Sequence, residues 1–427
     1  MASKRQNLIV IPTRNRSDLA RDAIRSVLDQ GATNLSVMVS DNSTSQDESE
    51  QLAAYCRQLK TDSVRYVRPP QPLPMPEHWE WAMKQALADS SASHISYLTD
   101  RMVFKRGELV NVISLSERFP DQVISYNNDI ILDYAEPVQL KQASWTGRVF
   151  ELNTAGMILA SAQVSTWLFF YCTPRMLNTI VPREVLNRII KRFGNLFLSL
   201  YPDLSFAYKC LETLESILYY DRSVLISYAH SRSNGASYHR GVITKDYADF
   251  LANLNGKTLN YAAPIPELMT ATNAAIHEYC FLKAESQSAK FPDIDLERYL
   301  SSVAAEISSI EDPKFKKEME SLLEKHRLNI ATESRKSLVE KLQVLAAKLA
   351  RLSPRWLVSL ERPQVLWNLL EDRFGVERRG FNDKIREFET VEAALKFGER
   401  NPRVRNWGAS LAEAVTYWPS TFSKRIK

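Results

Sequence analysis

Residues 7–45 read NLIVIPTRNRSDLARDAIRSVLDQGATNLSVMVSDNSTS. The apolar run Leu8-Ile9-Val10-Ile11 stops at Pro12, and a polar turn, Thr13-Arg14-Asn15-Arg16, follows. From Ser17-Asp18 an amphipathic segment carries Leu19, Ile24, Val27 and Leu28 on roughly one helical face. A second β-rich run, Val37-Met38-Val39, ends on Asp41-Asn42-Ser43. The pattern predicts a β-α-β unit whose two strand ends carry the polar residues. Open parallel sheets bind ligands just outside the carboxyl ends of their strands, so one stretch predicts both an α/β fold and the place of a site.

Around this unit, 427 residues suggest two domains. A hydrophobic content of 44% with 25% charged residues is that of a globular chain. Cys56, Cys172, Cys210 and Cys280 show neither close pairing nor metal-ligand spacing, which fits a reducing compartment. No apolar leader precedes the first strand, and no apolar run approaches a membrane span, so the expected location is cytoplasmic. The net charge of +5 does not call for nucleic acid, and no zinc-ligand or RNA-recognition spacing is present. Residues 391–427 hold seven Lys/Arg against three Asp/Glu, so contact with an anionic inner-membrane surface stays open beside an ordinary solvated face.

Further along, residues 64–67 read as a third strand, and five prolines between Pro69 and Pro76 demand an extended loop. A helix carrying Trp79 and Trp81 comes next, then a fourth strand, His94-Ile95-Ser96-Tyr97-Leu98, running into Thr99-Asp100-Arg101. Residues 107–118 predict a helix, and residues 130–134 a hairpin-like excursion. The aromatic-rich stretch 166–200 reads as a packed helical insert or an interfacial patch. Tyr201-Pro202-Asp203 opens a helix expected to reach about Tyr219, with Asp203 placed to cap its free N–H groups. His230, Arg232, His239 and Arg240, laced with small polar residues, suit a loop closing over a diphosphate or a plain exposed turn. Beyond 265 the pattern is helical. Leu338, Leu342, Leu345, Leu349 and Leu352 form an apolar stripe suited to a twin subunit or its own domain. Trp407, Tyr417 and Trp418 stand among basic residues that could lie on a membrane surface.

Pro12-Thr13-Arg14-Asn15, the span from Ser26 to Gln30 and Asp41-Asn42-Ser43-Thr44, taken in order, resemble the opening of family-2 glycosyltransferases. That large inverting group has a GT-A type (Rossmann-like) fold. The resemblance covers residues 1–250 and implies a nucleotide-sugar-binding domain there, with a helical domain over 265–427 for oligomerisation, acceptor or membrane-surface contact. It implies that Thr13, Arg14 and Asn15 touch the uridine or phosphates, and Asp41 the base or ribose. Asp100 with Arg101 would handle the diphosphate, His230 and Arg232 would lie in the loop over it, and Asp203 would be the general base. The implied donor is a nucleotide sugar, UDP-linked by default. The implied acceptor is a saccharide or lipid-linked glycan of a bacterial surface polysaccharide.

The departure lies at the family's Asp-x-Asp motif, which holds a divalent cation against the donor's diphosphate. Here only the middle position is acidic, in Thr99-Asp100-Arg101. Either Asp100 alone holds Mg²⁺ or Mn²⁺ with water and phosphate, or the guanidinium of Arg101 takes the cation's place. In a third account Asp100 and Arg101 pair with each other and the site is silent. The rival to an enzyme is a non-catalytic scaffold that keeps the fold and binds partners through its helices.

Overall fold

In the computed structural model, which describes residues 6–142, 145, 147–164, 172–235, 237, 248, 261–331, 384–400 and 423–426, the first strand is an interior strand of the sheet. Strand β1 (Gln6–Thr13) sends Leu8 and Val10 into one apolar cluster and Ile9 and Ile11 into another. Burial on both faces is why the run is continuously apolar rather than alternating. Strand β2 (Leu35–Asp41) does the same with Met38 against Val37 and Val39.

Helix α1 (Ser17–Leu28) connects these strands and buries Leu19, Ala20, Ala23, Ile24 and Val27. Helix α2 (Gln46–Gln58) leads to β3 (Val64–Val67), and α3 (Met75–Ala88) leads to β4 (Ala92–Tyr97). Strands β2 and β4 flank β1, β3 lies beyond β2, and all four run parallel. The chain therefore leaves β1 in one direction for β2 and β3, then returns to its other side with β4. That reversal opens a crevice at the carboxyl ends of β1 and β4, the place where such sheets bind ligands.

The second half of the sheet is mixed. Strand β5 (Met102–Phe104) and helix α4 (Glu108–Arg118) precede β6 (Ile124–Leu132), which turns back through β7 (Val138–Gln142) as the expected hairpin. Strand β8 (Val149–Asn153) and α5 (Thr154–Ala162) follow. Within the stretch expected to be a helical insert lies β9 (Thr179–Pro182), antiparallel to both β4 and β6. After it, α6 (Arg183–Phe193) ends at Gly194, whose φ of +74° closes the helix in the left-handed conformation that glycine adopts without steric cost.

Helix α7 (Pro202–Thr213) is shorter than expected. Residues up to Tyr219 instead enter β10 (Ser216–Ser227), which pairs with β5, β6 and β8. Ile217-Leu218-Tyr219-Tyr220 is an apolar run buried on both sheet faces, a pattern that periodicity cannot tell from a buried helix. Glu215 accordingly lies off the helix, and Glu212 is buried against Arg192.

The expected helices after residue 265 are present as α8 (Ala271–Ser286), α9 (Leu296–Ser308) and α10 (Pro313–Ala331). They do not stand apart as a domain with its own core, because Ile276, Tyr279, Tyr299, Val303 and Leu323 join the same apolar cluster as Leu8 and Val10. The chain end also returns to the sheet. Strand β11 (Lys384–Phe388) pairs with β7, β12 (Ser423–Ile426) pairs with β8, and α11 (Val391–Arg400) lies across β6, β7 and β10. Gly398 permits that approach, since a Cβ there would meet Ile226 at 2.9 Å. No described helix is long and apolar enough to cross a membrane. The leucine stripe 338–352, the aromatic residues Trp407, Tyr417 and Trp418, residues 166–171, and His239 with Arg240 lie outside the described residues.

Candidate functional site

At the end of β1 the backbone breaks from extended structure, and Asn15 takes a φ of +52°. Asn and Asp enter that left-handed region more readily than other non-glycine residues. Its side chain then joins the two strand ends. Oδ1 accepts from the backbone N–H groups of Thr44 (2.9 Å) and Ser45 (3.0 Å), and Nδ2 donates to Thr44 Oγ1 at 2.8 Å. The Asn15 N–H donates to Ser43 Oγ at 2.9 Å.

Asp41 anchors the other side of this junction from full burial. Its Oδ1 accepts from the Ser43 N–H at 2.8 Å, and its Oδ2 accepts from Ser49 Oγ at 2.7 Å and Tyr66 OH at 2.6 Å. Burial and the Asp41 hydrogen bond push the Tyr66 hydroxyl up to about 12. The carboxylate expected at the base or ribose thus has its oxygens engaged by the loop, by α2 and by β3. Asn42 fastens the proline loop, with Nδ2 donating to Leu73 O at 2.8 Å and Oδ1 accepting from the Leu73 N–H at 2.9 Å. Arg14 Nη1 donates to the same Leu73 carbonyl at 3.3 Å.

Asp100, just beyond β4, is almost completely buried and faces β1. Its Oδ2 accepts from Thr13 Oγ1 at 2.9 Å, and its Oδ1 stands 3.5 Å from Arg16 Nη1. Arg16 also donates from Nη2 to the Arg232 carbonyl at 2.7 Å. Arg232 in turn donates from Nη1 to Asp18 Oδ2 at 2.7 Å, which lays the His230–Arg232 turn over the start of α1. In that turn His230 is held neutral, its pKa lowered to about 4 by burial and by the nearby Arg101 guanidinium. Thr13, Asn15, Asp100, Arg101, His230 and Arg232 therefore meet at one edge of the sheet. Arg16, which carries no signal in the linear sequence, links Asp100 to the His230–Arg232 turn.

A divalent cation fits this arrangement poorly. Asp100 is the lone acid of the altered motif, and its two oxygens answer Thr13 and Arg16. No cluster of three or more His, Cys, Asp or Glu side chains suited to a metal occurs among the described residues.

Asp203 reaches the same edge by another route. Antiparallel pairing sets His94 opposite Pro182 and Ile95 opposite Val181, so the turn before β9, with Arg175, lies at the carboxyl end of β4. The Arg175 charge acts on Asp203 there. Desolvation holds the Asp203 carboxyl above its ordinary range, against Arg175 and the backbone N–H groups of Asp203 and Leu204 at the helix start. Its neighbour Glu278 on α8 carries no signal in the linear sequence. Glu278 Oε1 accepts from Ser199 Oγ at 2.7 Å and from the Tyr201 N–H at 2.9 Å. Burial, then the charge of Asp203, raises the Glu278 carboxyl to about 7. Below them Trp79 packs edge-on against Tyr97 and Phe197, so at least one of the two tryptophans is a core anchor.

His78 supplies a measurable signature of this half. It is buried, bonded through Nε2 to Ser40 Oγ at 2.9 Å, and burial lowers its pKa from 6.5 to about 4. Between those values the unfolded chain binds a proton that the folded chain refuses, so stability falls as pH drops through the window. His78→Gln is expected to lose about 2 kcal/mol less than wild type between pH 7 and pH 5. Urea unfolding at the two pH values checks this, and equal losses would show that His78 protonates normally in the fold.

Residues 8–158 match the family described as glycosyl transferase family 2. No curated protein matches the chain. Among solved structures, S. aureus TarS 1–349 in complex with UDP-GlcNAc is 12% identical with a TM-score of 0.41, covering 85% of this chain and 85% of that one. S. aureus TarS 1–349 in complex with UDP is also 12% identical, with a TM-score of 0.41, over 76% of this chain and 92% of that one. With four parallel strands in the order β3-β2-β1-β4 and a polar cluster at their carboxyl ends, residues 8–158 form a family-2 glycosyltransferase domain of GT-A type.

Proposed function

We propose that this glycosyltransferase moves a sugar from a nucleotide-sugar donor, UDP-linked by default, to a hydroxyl of a saccharide or lipid-linked acceptor, with inversion, in the synthesis of a surface polysaccharide. The observation that carries the reading is the meeting of two unlike halves on one sheet edge. The cluster at the ends of β1 and β4 is rich in guanidinium groups, as a diphosphate requires. Asp203, approached through Arg175, is a carboxylate whose raised proton affinity suits a general base.

In the reaction the acceptor hydroxyl oxygen attacks the anomeric carbon from the face opposite the leaving group. The new C–O bond forms as the bond from that carbon to the phosphate oxygen breaks, and its electron pair departs with the nucleoside diphosphate. The hydroxyl proton passes to the Asp203 carboxylate. Arg101 and Arg232 steady the departing charge, while Thr13, Arg14 and Asn15 shape the strand-end turn around the nucleotide. The enzyme's part is orientation, one base and electrostatic stabilisation.

The test is nucleotide release from a panel of sugar nucleotides with simple saccharide acceptors, followed by assignment of the product's anomeric configuration. Release from one donor with an inverted product supports the proposal. A retained configuration overturns the single-base mechanism, and no release or binding with any donor favours the non-catalytic scaffold.

A further inference from the structure

Three guanidinium groups, Arg16, Arg101 and Arg232, belong to the strand-end cluster, and the acid at its centre is Asp100. The carboxylate is held by a hydrogen bond from Thr13 and by the charge of Arg16 at 3.5 Å. That separation exceeds hydrogen-bond length, so Arg16 and Asp100 form a charge contact rather than a two-bond clamp. Arg16 is nevertheless fixed in place, because Nη2 donates to the Arg232 carbonyl at 2.7 Å and only 13% of its side chain is exposed. Asp18 answers Arg232, and Asp133 binds the Ser231 hydroxyl and N–H in the same turn. A dication entering here would have to compete with Arg16 for the single acid of the motif and would face the like charges of Arg101 and Arg232.

We propose that Arg16, oriented by Asp100 and the Arg232 carbonyl, works with Arg101 to neutralise the donor's diphosphate in place of a divalent metal, and that donor binding and transfer are metal-independent. This rests on the nucleotide-sugar reading above. A guanidinium suits the task because its planar fork matches phosphate oxygens and it keeps its charge at any working pH. Asp100 then serves as a positioning residue that presents a cation, rather than as a metal ligand.

Calorimetric titration of the full chain with UDP tests it, first in excess EDTA and then in excess Mn²⁺ or Mg²⁺. The expected affinities agree within about twofold. Arg16→Gln is expected to weaken UDP by at least about tenfold while leaving uridine affinity unchanged, because uridine lacks the phosphates. Arg16→Lys should recover part of the loss, since it restores the charge but not the fork. UDP binding that appears only with metal overturns the proposal while leaving the donor reading intact. Equal weakening of UDP and uridine in Arg16→Gln also overturns it, as loss of shape rather than of phosphate contact. No UDP binding in any condition would remove the UDP-donor reading together with it.

Discussion

Asp203→Asn is expected to slow transfer by about 10²–10⁴-fold, the contribution of a positioned general base, while UDP affinity stays near that of wild type. Tyr201, not Asp203, holds the N-cap position, so Asp203 lies inside the first turn of α7 rather than capping it as the sequence suggests. The amide keeps the size of the side chain and can still accept from the Leu204 N–H. What it loses is the capacity to take a proton. Pro202 precedes Asp203 in the first turn of the helix, where a missing N–H costs nothing, and this pins the residue's place. Comparing the rate constant for bound substrates with nucleotide affinity separates the roles. A variant that transfers at near wild-type rate would leave Asp203 as a first-turn carboxylate of α7 and nothing more.

The same substitution has a signature in titration. Glu278 accepts the Tyr201 N–H from the facing helix, and the charge of Asp203 adds to burial in holding its carboxyl up at about 7. In Asp203→Asn that charge disappears while the desolvation of Glu278 remains. The Glu278 carboxyl then loses its proton at lower pH than in wild type, which an NMR titration of the carboxylates reads. An unmoved Glu278 titration would mean that burial alone raises it.

Much of this site could be read in the linear chain because local pattern and tertiary role coincide there. Leu8 to Ile11 are apolar without interruption because both sheet faces are covered, and Pro12 ends the run where the ligand edge begins. The first helix and the third strand follow from similarly direct signals. Arg16 was not legible. It looks like the last residue of a polar turn, and its meaning comes from Asp100, a partner that only the β1–β4 pairing brings near. Glu278 was hidden in the same way, on a helix whose neighbours are nearly all buried and whose pattern shows no preferred face. The return of β11 and β12 to the sheet had no local signal, since short edge strands leave too few residues for a period to show.

Breaking the ion pair between Lys105 and Asp129 is expected to produce the largest loss of stability. Lys105 Nζ lies 2.5 Å from Asp129 Oδ2, and each side chain is only 1% exposed. Gln142 Nε2 also donates to that oxygen at 2.8 Å, so the pair ties the residue after β5 to β6 and β7. Lys105→Met alone would leave a buried carboxylate with one amide partner, and a cost of about 3–5 kcal/mol follows from removing one member of a buried pair. Asp129→Leu alone strands the ammonium at a similar cost. The double substitution removes both desolvated charges, and hydrophobic replacement of a buried pair is often neutral or stabilising. Its stability should therefore lie well above the sum of the two single losses. Urea unfolding of all four proteins gives the coupling energy directly. If the single losses simply add, the two charges do not support each other in the fold, and the strand junction beside α4 is held by its apolar neighbours Val103, Ile131, Leu140 and Ile226 instead.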